Sequence, residues 1–262
     1  MKKLNPQEIQ NALSPLPSGL KIETYVEITS TNDMGHQLAK QGASENTVVL
    51  AEKQTAGRGR LDRSWESPAF KNIYLSIILR PTLTPNKTPQ INLIAGLAAY
   101  RTFLQLLPKG LHLKWPNDLL FKNKKLGGVL TEMELTPEGG VDYMIVGVGL
   151  NINAESSDFS ASLKDTATSL KMERKEEFSR SQIAGMFLNE FFNLYQRYQK
   201  ESLQPFLYEW ENAAQMKGKK VKVDEGDKTF EGICLGLDAE GYLLVDSQGK
   251  KETVVAGDVS WV

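Results

Sequence analysis

Gln54-Thr55-Ala56-Gly57-Arg58-Gly59-Arg60-Leu61-Asp62-Arg63-Ser64-Trp65 lies between two strand-like runs. Val48-Val49-Leu50-Ala51 leads in and Ile73-Tyr74-Leu75-Ser76-Ile77-Ile78-Leu79 leads out. Both runs are rich in β-branched and other large apolar residues, so the stretch is predicted to be a loop between two buried strands. Its glycines let backbone approach a ligand closely. Arg58, Arg60 and Arg63 carry fork-shaped donors suited to phosphate or carboxylate. Three arginines against Asp62 leave a local charge of +2. Such a loop repels itself when empty, so the expectation is a lid that orders around an anion. A solvated turn is the competing reading.

Outward from the lid, the chain alternates strand and helix signals. Asn5-Pro6-Gln7-Glu8 predicts a short capped helix with a capping box. Residues 21–28 read as a strand, and Ser30 or Thr31 as the N-cap of the helix that follows. A helix start beside a sheet is also a polar-ligand site, although capping alone accounts for these residues. Residues 88–107 carry apolar residues at helical spacing, with Ala95, Gly96, Ala98 and Ala99 at the centre. Residues 111–114, 119–121 and 128–132 read as strands, the last two a hairpin turning through 122–125. Residues 141–150 form a further apolar strand. The Ser- and Asp-rich residues 154–166 are expected to be mobile. Helices follow over 179–200 and from 203 to 210. From Lys217 onward, short β-prone runs alternate with Gly- and Asp-containing turns, predicting a small β-barrel. The expected division is 1–215 and 216–262.

Composition excludes several classes. The chain has 262 residues, 40% hydrophobic and 24% charged, enough for one large and one small domain. A net charge of −1 argues against a general nucleic-acid surface. One cysteine, Cys234, excludes an internal disulfide, and with only His36 and His112 a zinc cluster is not expected. His36 is expected on a helix surface and His112 in a strand. No signal-peptide core and no membrane-length apolar run is present, so the expected address is cytoplasmic. Any catalysis is expected to proceed without a covalent enzyme intermediate.

Four blocks together resemble the biotin protein ligases. They are Gly57-Arg58-Gly59-Arg60 with Trp65 downstream, Lys114-Trp115-Pro116-Asn117-Asp118, Lys125-Leu126-Gly127-Gly128 and Gly147-Val148-Gly149-Leu150-Asn151. Ser30-Thr31-Asn32 precedes them in the expected order. The resemblance spans about 20–262. It implies an α+β fold: a mixed-sheet catalytic domain flanked by helices, of the class II synthetase-like biotin/lipoate ligase type, with a C-terminal SH3-like β-barrel. Two departures stand out. The helix-turn-helix domain of the repressor members has no counterpart here, so a ligase without DNA binding is expected. Leu61-Asp62 replaces the family's frequent Arg-Gly, which puts the conformation of the lid in question.

The same resemblance implies the chemistry. Biotin's carboxylate attacks the α-phosphate of ATP, and a lysine of a biotin carboxyl carrier domain then attacks the biotinyl-5′-AMP. Biotin and ATP are thus substrates, with Mg²⁺ expected and its ligands unassigned. By matching blocks, biotin is implied to meet Ser30, Thr31, Asn32, Gln54, Gly57, Arg58, Gly59, Arg60 and Lys125. The nucleotide is implied to meet Arg63, Trp65, Lys114, Asn117 and Asn151. Arg58, Arg60, Lys125 and Asp118 are the catalytic set, with Asp118 receiving the attacking amine's proton. Competing readings are a hairpin-tip surface lysine for Lys125 and a pairing or capping residue for Asp118. Trp115 reads as core. A lipoate or octanoate ligase is the nearest alternative function, and a nucleic-acid-binding module the alternative of another class. A monomer and a homodimer both stay open.

Overall fold

The computed structural model describes residues 2–262. The lid joins β2 (Thr47–Gln54) to β3 (Ile73–Leu79), an antiparallel pair in register from Thr47 opposite Ile78 to Ala51 opposite Tyr74. β1 (Lys21–Ile28) runs parallel to β2, so the chain must cross over, and α2 (Thr31–Lys40) is that crossover. β7 (Val141–Leu150) pairs with β3, and β6 (Lys124–Leu135), β5 (Asp118–Phe121) and β4 (Leu111–Lys114) follow outward. The seven-stranded sheet has the order β1-β2-β3-β7-β6-β5-β4.

β3 is buried at every position because both faces of the sheet are covered. Ile77 faces the main core, whereas its neighbour Ile78 faces a smaller cluster with Ala39, Tyr143 and Ile145 beneath α2. On the main-core side α3 (Thr88–Leu104) packs against α5 (Arg180–Glu201). The small residues Ala95, Gly96, Ala98 and Ala99 of α3 are all buried there. α1 (Pro6–Gln10) is capped by Asn5, whose Oδ1 accepts from Gln7 N at 2.9 Å and Glu8 N at 3.1 Å. The reciprocal half of the expected capping box does not form: Asn5 N donates to Ser181 Oγ, and Glu8 pairs with Lys2.

One further expectation is corrected. The β5–β6 hairpin turns through Lys122 and Asn123 alone, with φ of 48° and 66°, so Lys125 lies inside β6 and not at the hairpin tip. Residues 154–166 are mostly exposed but anchored: a 3₁₀ turn at Ser156–Asp158 is followed by Phe159, buried with Ala154 and Ala167. Two short elements had no clear sequence signal, α4 (Leu170–Arg174), capped by Ser169, and the final strand, Asp258–Trp261.

α6 (Gln204–Ala214) leads to five antiparallel strands: β8 (Lys220–Asp224), β9 (Thr229–Leu237), β10 (Leu243–Ser247), β11 (Lys250–Val254) and β12 (Asp258–Trp261). Their order is β11-β10-β9-β8-β12, with β11 and β12 as the edges. Val221, Val223, Cys234, Leu243 and Val245 join the same buried cluster as α3 and α5. Trp115 is core, and its indole N–H donates to Gly241 O at 3.1 Å across the two sheets. No helix among the described residues is long and apolar enough to cross a membrane.

Candidate active site

A cleft of about 470 Å³ opens where the lid, the start of α2, the β4–β5 turn, β6, β7 and β12 converge. That volume suits a small organic ligand. One end is a buried polar floor. Ser30 caps α2, its hydroxyl accepting from Asn32 N at 3.2 Å. Gln54 Oε1 accepts from Thr31 N at 2.8 Å and lies 3.1 Å from Thr31 Oγ1, and Gln54 Nε2 donates to Ser67 Oγ at 2.9 Å. A Cβ built on Gly147 would overlap Asn32 Oδ1, so glycine there makes room for the Asn32 side chain. Glu132 Oε2 accepts from Asn32 Nδ2 at 2.6 Å and from Arg58 Nη2 at 3.0 Å. Burial alone would raise the Glu132 carboxyl. Hydrogen bonds from His36 and Asn32, with the charge of Arg58, outweigh it and hold the group below the ordinary carboxylate range. His36 is therefore no plain surface residue: Nδ1 lies 3.2 Å from the Tyr143 hydroxyl and Nε2 3.6 Å from Glu132.

The other end is cationic. Lys125 Nζ lies 2.7 Å from Asp118 Oδ1, and Lys114 Nζ 3.5 Å from Asp118 Oδ2. Register brings the three together, because Lys114 faces Asp118 across β4–β5 while Lys125 faces Leu120 across β5–β6. Lys125 Nζ also sits 5.4 Å from the centre of the Trp65 ring. That ring lies where a side chain on Gly149 would be, which is why β7 carries glycine there. The indole N–H of Trp65 is buried without a partner. Asn117 donates to Val129 O at 2.7 Å, and its Oδ1 faces Arg60 Nη1 at 3.3 Å. Asn151 is buried, donating to Thr168 O at 3.0 Å and accepting from Asn72 at 3.2 Å.

The lid is already folded. Gly59 N donates to Arg63 O at 2.7 Å and Trp65 N to Gly57 O at 2.8 Å. A Cβ on Gly57 would sit 2.5 Å from Trp65 O, so that position demands glycine. Leu61 and Asp62 take φ of 53° and 56° at the tip, the left-handed region that glycine would occupy more cheaply. The expected self-repulsion is answered by acids. Arg58 meets Asp33 at 2.8 Å as well as Glu132, Arg60 meets Asp258 at 3.4 Å and donates to Gly257 O at 2.9 Å, and Arg63 pairs with Asp258. Burial pulls the Arg60 guanidinium below its usual value, with the charges of Asp258 and Asp118 opposing it.

Every residue singled out from the sequence lines this cleft except Gly57, which sits just behind it. Sequence reasoning missed Asp258, Ser260 and Trp261 on β12, and Phe159, Leu163 and Ala167 on the far wall. Nothing local marks Asp258. Gly147, in contrast, was legible as half of an alternating glycine pair.

The sequence profile of the Biotin/lipoate A/B protein ligase family matches residues 25–151, and that of the Biotin protein ligase C terminal domain matches 218–261. The bifunctional ligase/repressor BirA of Bacillus spizizenii is 37% identical over 257 residues, 98% of this chain and 79% of that protein. The chain belongs to the biotin protein ligase family. Another relative, the biotin–[acetyl-CoA-carboxylase] ligase of Mycobacterium tuberculosis, is 29% identical and is covered over 95% of its length. The solved biotin protein ligase from Aquifex aeolicus in complex with biotin and ATP superposes with a TM-score of 0.81 at 27% identity, over 92% of this chain and 99% of that one. For a biotin protein ligase, the mixed sheet with covering helices and the C-terminal antiparallel sheet form the fold expected from the motif blocks.

Proposed function

We propose that this chain is an ATP-dependent biotin protein ligase. It joins biotin's carboxylate to the α-phosphate of ATP, releasing diphosphate. It then passes the biotinyl group to the ε-amine of a lysine on a biotin carboxyl carrier domain, releasing AMP. One observation carries the reading: a single cleft pairs a floor of buried Ser30 and Thr31 and half-buried Gln54 with a cationic end built from Lys125, Lys114 and the lid arginines. A ureido ring presents two N–H donors and one carbonyl, which that floor can meet. A dithiolane offers it nothing, so a lipoate ligase is the poorer fit.

The roles follow from position. Ser30, Thr31, Asn32 and Gln54 hold the ureido ring, and Gly57, Arg58 and Gly59 close over it. Lys125 and Arg60 meet the carboxylate and the charge that develops as its oxygen bonds to phosphorus. Lys114 and Arg63 receive the polyphosphate, and Trp65, Asn117 and Asn151 border the nucleoside. The lid excludes water from the mixed anhydride. Asp118, steadied by Lys125 and Lys114, faces the incoming amine and takes its proton. Mg²⁺, expected with ATP, would supply counter-charge to its phosphates. Among the described residues no three His, Cys, Asp or Glu side chains cluster to hold an ion independently. Residues 1–215 carry this chemistry, and 216–262 form the second unit, supplying Asp258 to the lid.

The test is incubation with biotin, α-labelled ATP and a carrier domain, with lipoate as competitor. Labelled AMP and biotinylated carrier are the expected products. Diphosphate exchange driven by lipoate but not by biotin would refute the assignment.

A further inference from the structure

A continuous polar chain runs beneath the cleft. Arg58 of the lid donates to Glu132, which accepts from Asn32 Nδ2. Ser76 Oγ, fully buried in β3, lies 2.6 Å from Asn32 Oδ1 and 2.8 Å from Thr31 Oγ1. Thr31 meets Gln54, Gln54 donates to Ser67, and Ser67 Oγ donates to Trp65 O at 3.1 Å, where the lid ends. The chain therefore starts at one leg of the lid and returns to the other.

An ionised carboxylate can only accept. Glu132 at 2.6 Å, with the Leu130 carbonyl at 3.3 Å as the weaker second acceptor, thus fixes Asn32 with its amide nitrogen outward and its oxygen toward β3. That oxygen requires a donor, so the Ser76 proton points to Asn32, and the single Thr31 hydroxyl proton turns to the Ser76 lone pairs at 2.8 Å. Gln54 Oε1 is held by the Thr31 backbone N–H, so the Gln54 nitrogen faces Ser67 and the cleft. The directions at Asn32 and Ser76 thus follow from the acceptors beside the Asn32 amide, and those at Gln54 and Ser67 from the Thr31 backbone N–H.

We propose that Glu132 and Ser76 are positioning residues, which set the hydrogen-bond polarity of the ligand floor and tie it to the lid. This rests on the reading of the floor as the biotin site. Neither side chain touches ligand: Glu132 acts through Asn32 and Arg58, and Ser76 through Asn32 and Thr31.

Calorimetric titration with biotin, on Ser76→Ala, Glu132→Ala and the double variant, tests it. Each single change removes about one hydrogen bond's worth of order, so biotin affinity falls about tenfold. Because both act through one chain, the double variant falls by about the same factor instead of the hundredfold of independent sites. The KM for ATP stays near wild type, and Glu132→Gln, which keeps an acceptor, recovers most of the affinity. Ser76→Cys, close in volume with a weaker donor, replaces the alanine variant if thermal melting shows that one unfolded. Unchanged biotin affinity in folded variants, equal losses for biotin and ATP, or a multiplicative double variant overturns the proposal. Wild-type protein that binds no biotin overturns both this proposal and the function it rests on.

Discussion

Lys125 and Asp118 meet because β5 and β6 shift register between Leu119 and Leu120, which sets the lysine beside the carboxylate at 2.7 Å. Removing the ammonium deprives the reaction of a cation where charge develops. Lys125→Ala should slow biotin-dependent diphosphate exchange by roughly 10²–10³, the 2.7–4 kcal/mol typical of one such contact. Wild-type exchange would remove Lys125 from the mechanism. Asp118→Asn keeps the shape and an acceptor for Lys125 but is a far weaker base. The acceptor lysine, with a free pKa of about 10.4, arrives protonated. In single turnover, transfer to the carrier should slow more than adenylate synthesis, with the defect shrinking as pH rises. Equal loss in both half-reactions would make Asp118 structural. Glu132 gives a pH signature of its own. Its folded-state carboxyl is held below the ordinary value, so the stabilisation is full above the unfolded-state pKa of about 4.3 and is lost as pH falls through the depressed value. The stability gap between wild type and Glu132→Gln, read by urea denaturation, should close as pH drops below that point.

At the scale of elements, the lid is a tight loop held by acids from three places: Asp33 on α2, Glu132 on β6 and Asp258 on β12. The Arg63 side chain is 65% exposed, so its pair contributes little, whereas Arg60 is 18% exposed and also bonds the Gly257 carbonyl. Asp258→Asn should therefore loosen the lid through Arg60. Limited proteolysis at the lid arginines should quicken in the variant without ligand, and biotinyl-AMP should restore protection in both proteins. In wild type, raising ionic strength from roughly 0.05 M to 0.5 M should act in the same direction, because it screens these half-exposed pairs. Cleavage indifferent to both changes would mean that the cross-loop backbone bonds alone hold the lid.

At the scale of the molecule, the beginning of the chain is fastened by a buried ion pair. Arg180 and Glu52, both 4% exposed in their side chains, meet at 2.6 Å. Glu52 Oε1 also accepts from Leu4 N at 2.6 Å, and Arg180 Nη2 donates to Lys2 O at 2.7 Å. α5, β2 and the first residues are thus joined at one point inside the core. Arg180→Ala leaves a buried carboxylate unpaired and should cost about 3–5 kcal/mol of folding stability by urea denaturation. Biotin affinity of the remaining folded protein should change little, because the pair lies outside the cleft. A loss under 1 kcal/mol would show that water reaches the carboxylate.

The sequence by itself determined the strands at 21–28, 73–79 and 141–150, the long helices and a cap at Ser30 or Thr31, because these depend on periodicity and capping within a few residues. It determined the family too, through motif blocks whose glycines the fold requires: Gly57 against Trp65 O, Gly147 against Asn32, and Gly149 against the Trp65 ring. It did not determine who answers whom. Arg60 finds Asp258, 198 positions away, on a strand too short to announce itself. Glu132 finds Asn32 only because β6 and the start of α2 share one face of the sheet. Lys125, assigned to the site by its motif, reads from the hairpin alone as a surface lysine until a two-residue turn moves it into a strand. Local preferences act over a turn or a strand, whereas charge partners and cleft walls are chosen by topology. The motif residues that line the cleft were therefore legible in advance, but the walls supplied by β12 and by Phe159, Leu163 and Ala167, the hydrogen-bond directions and the latch on the lid were settled only by the packed fold.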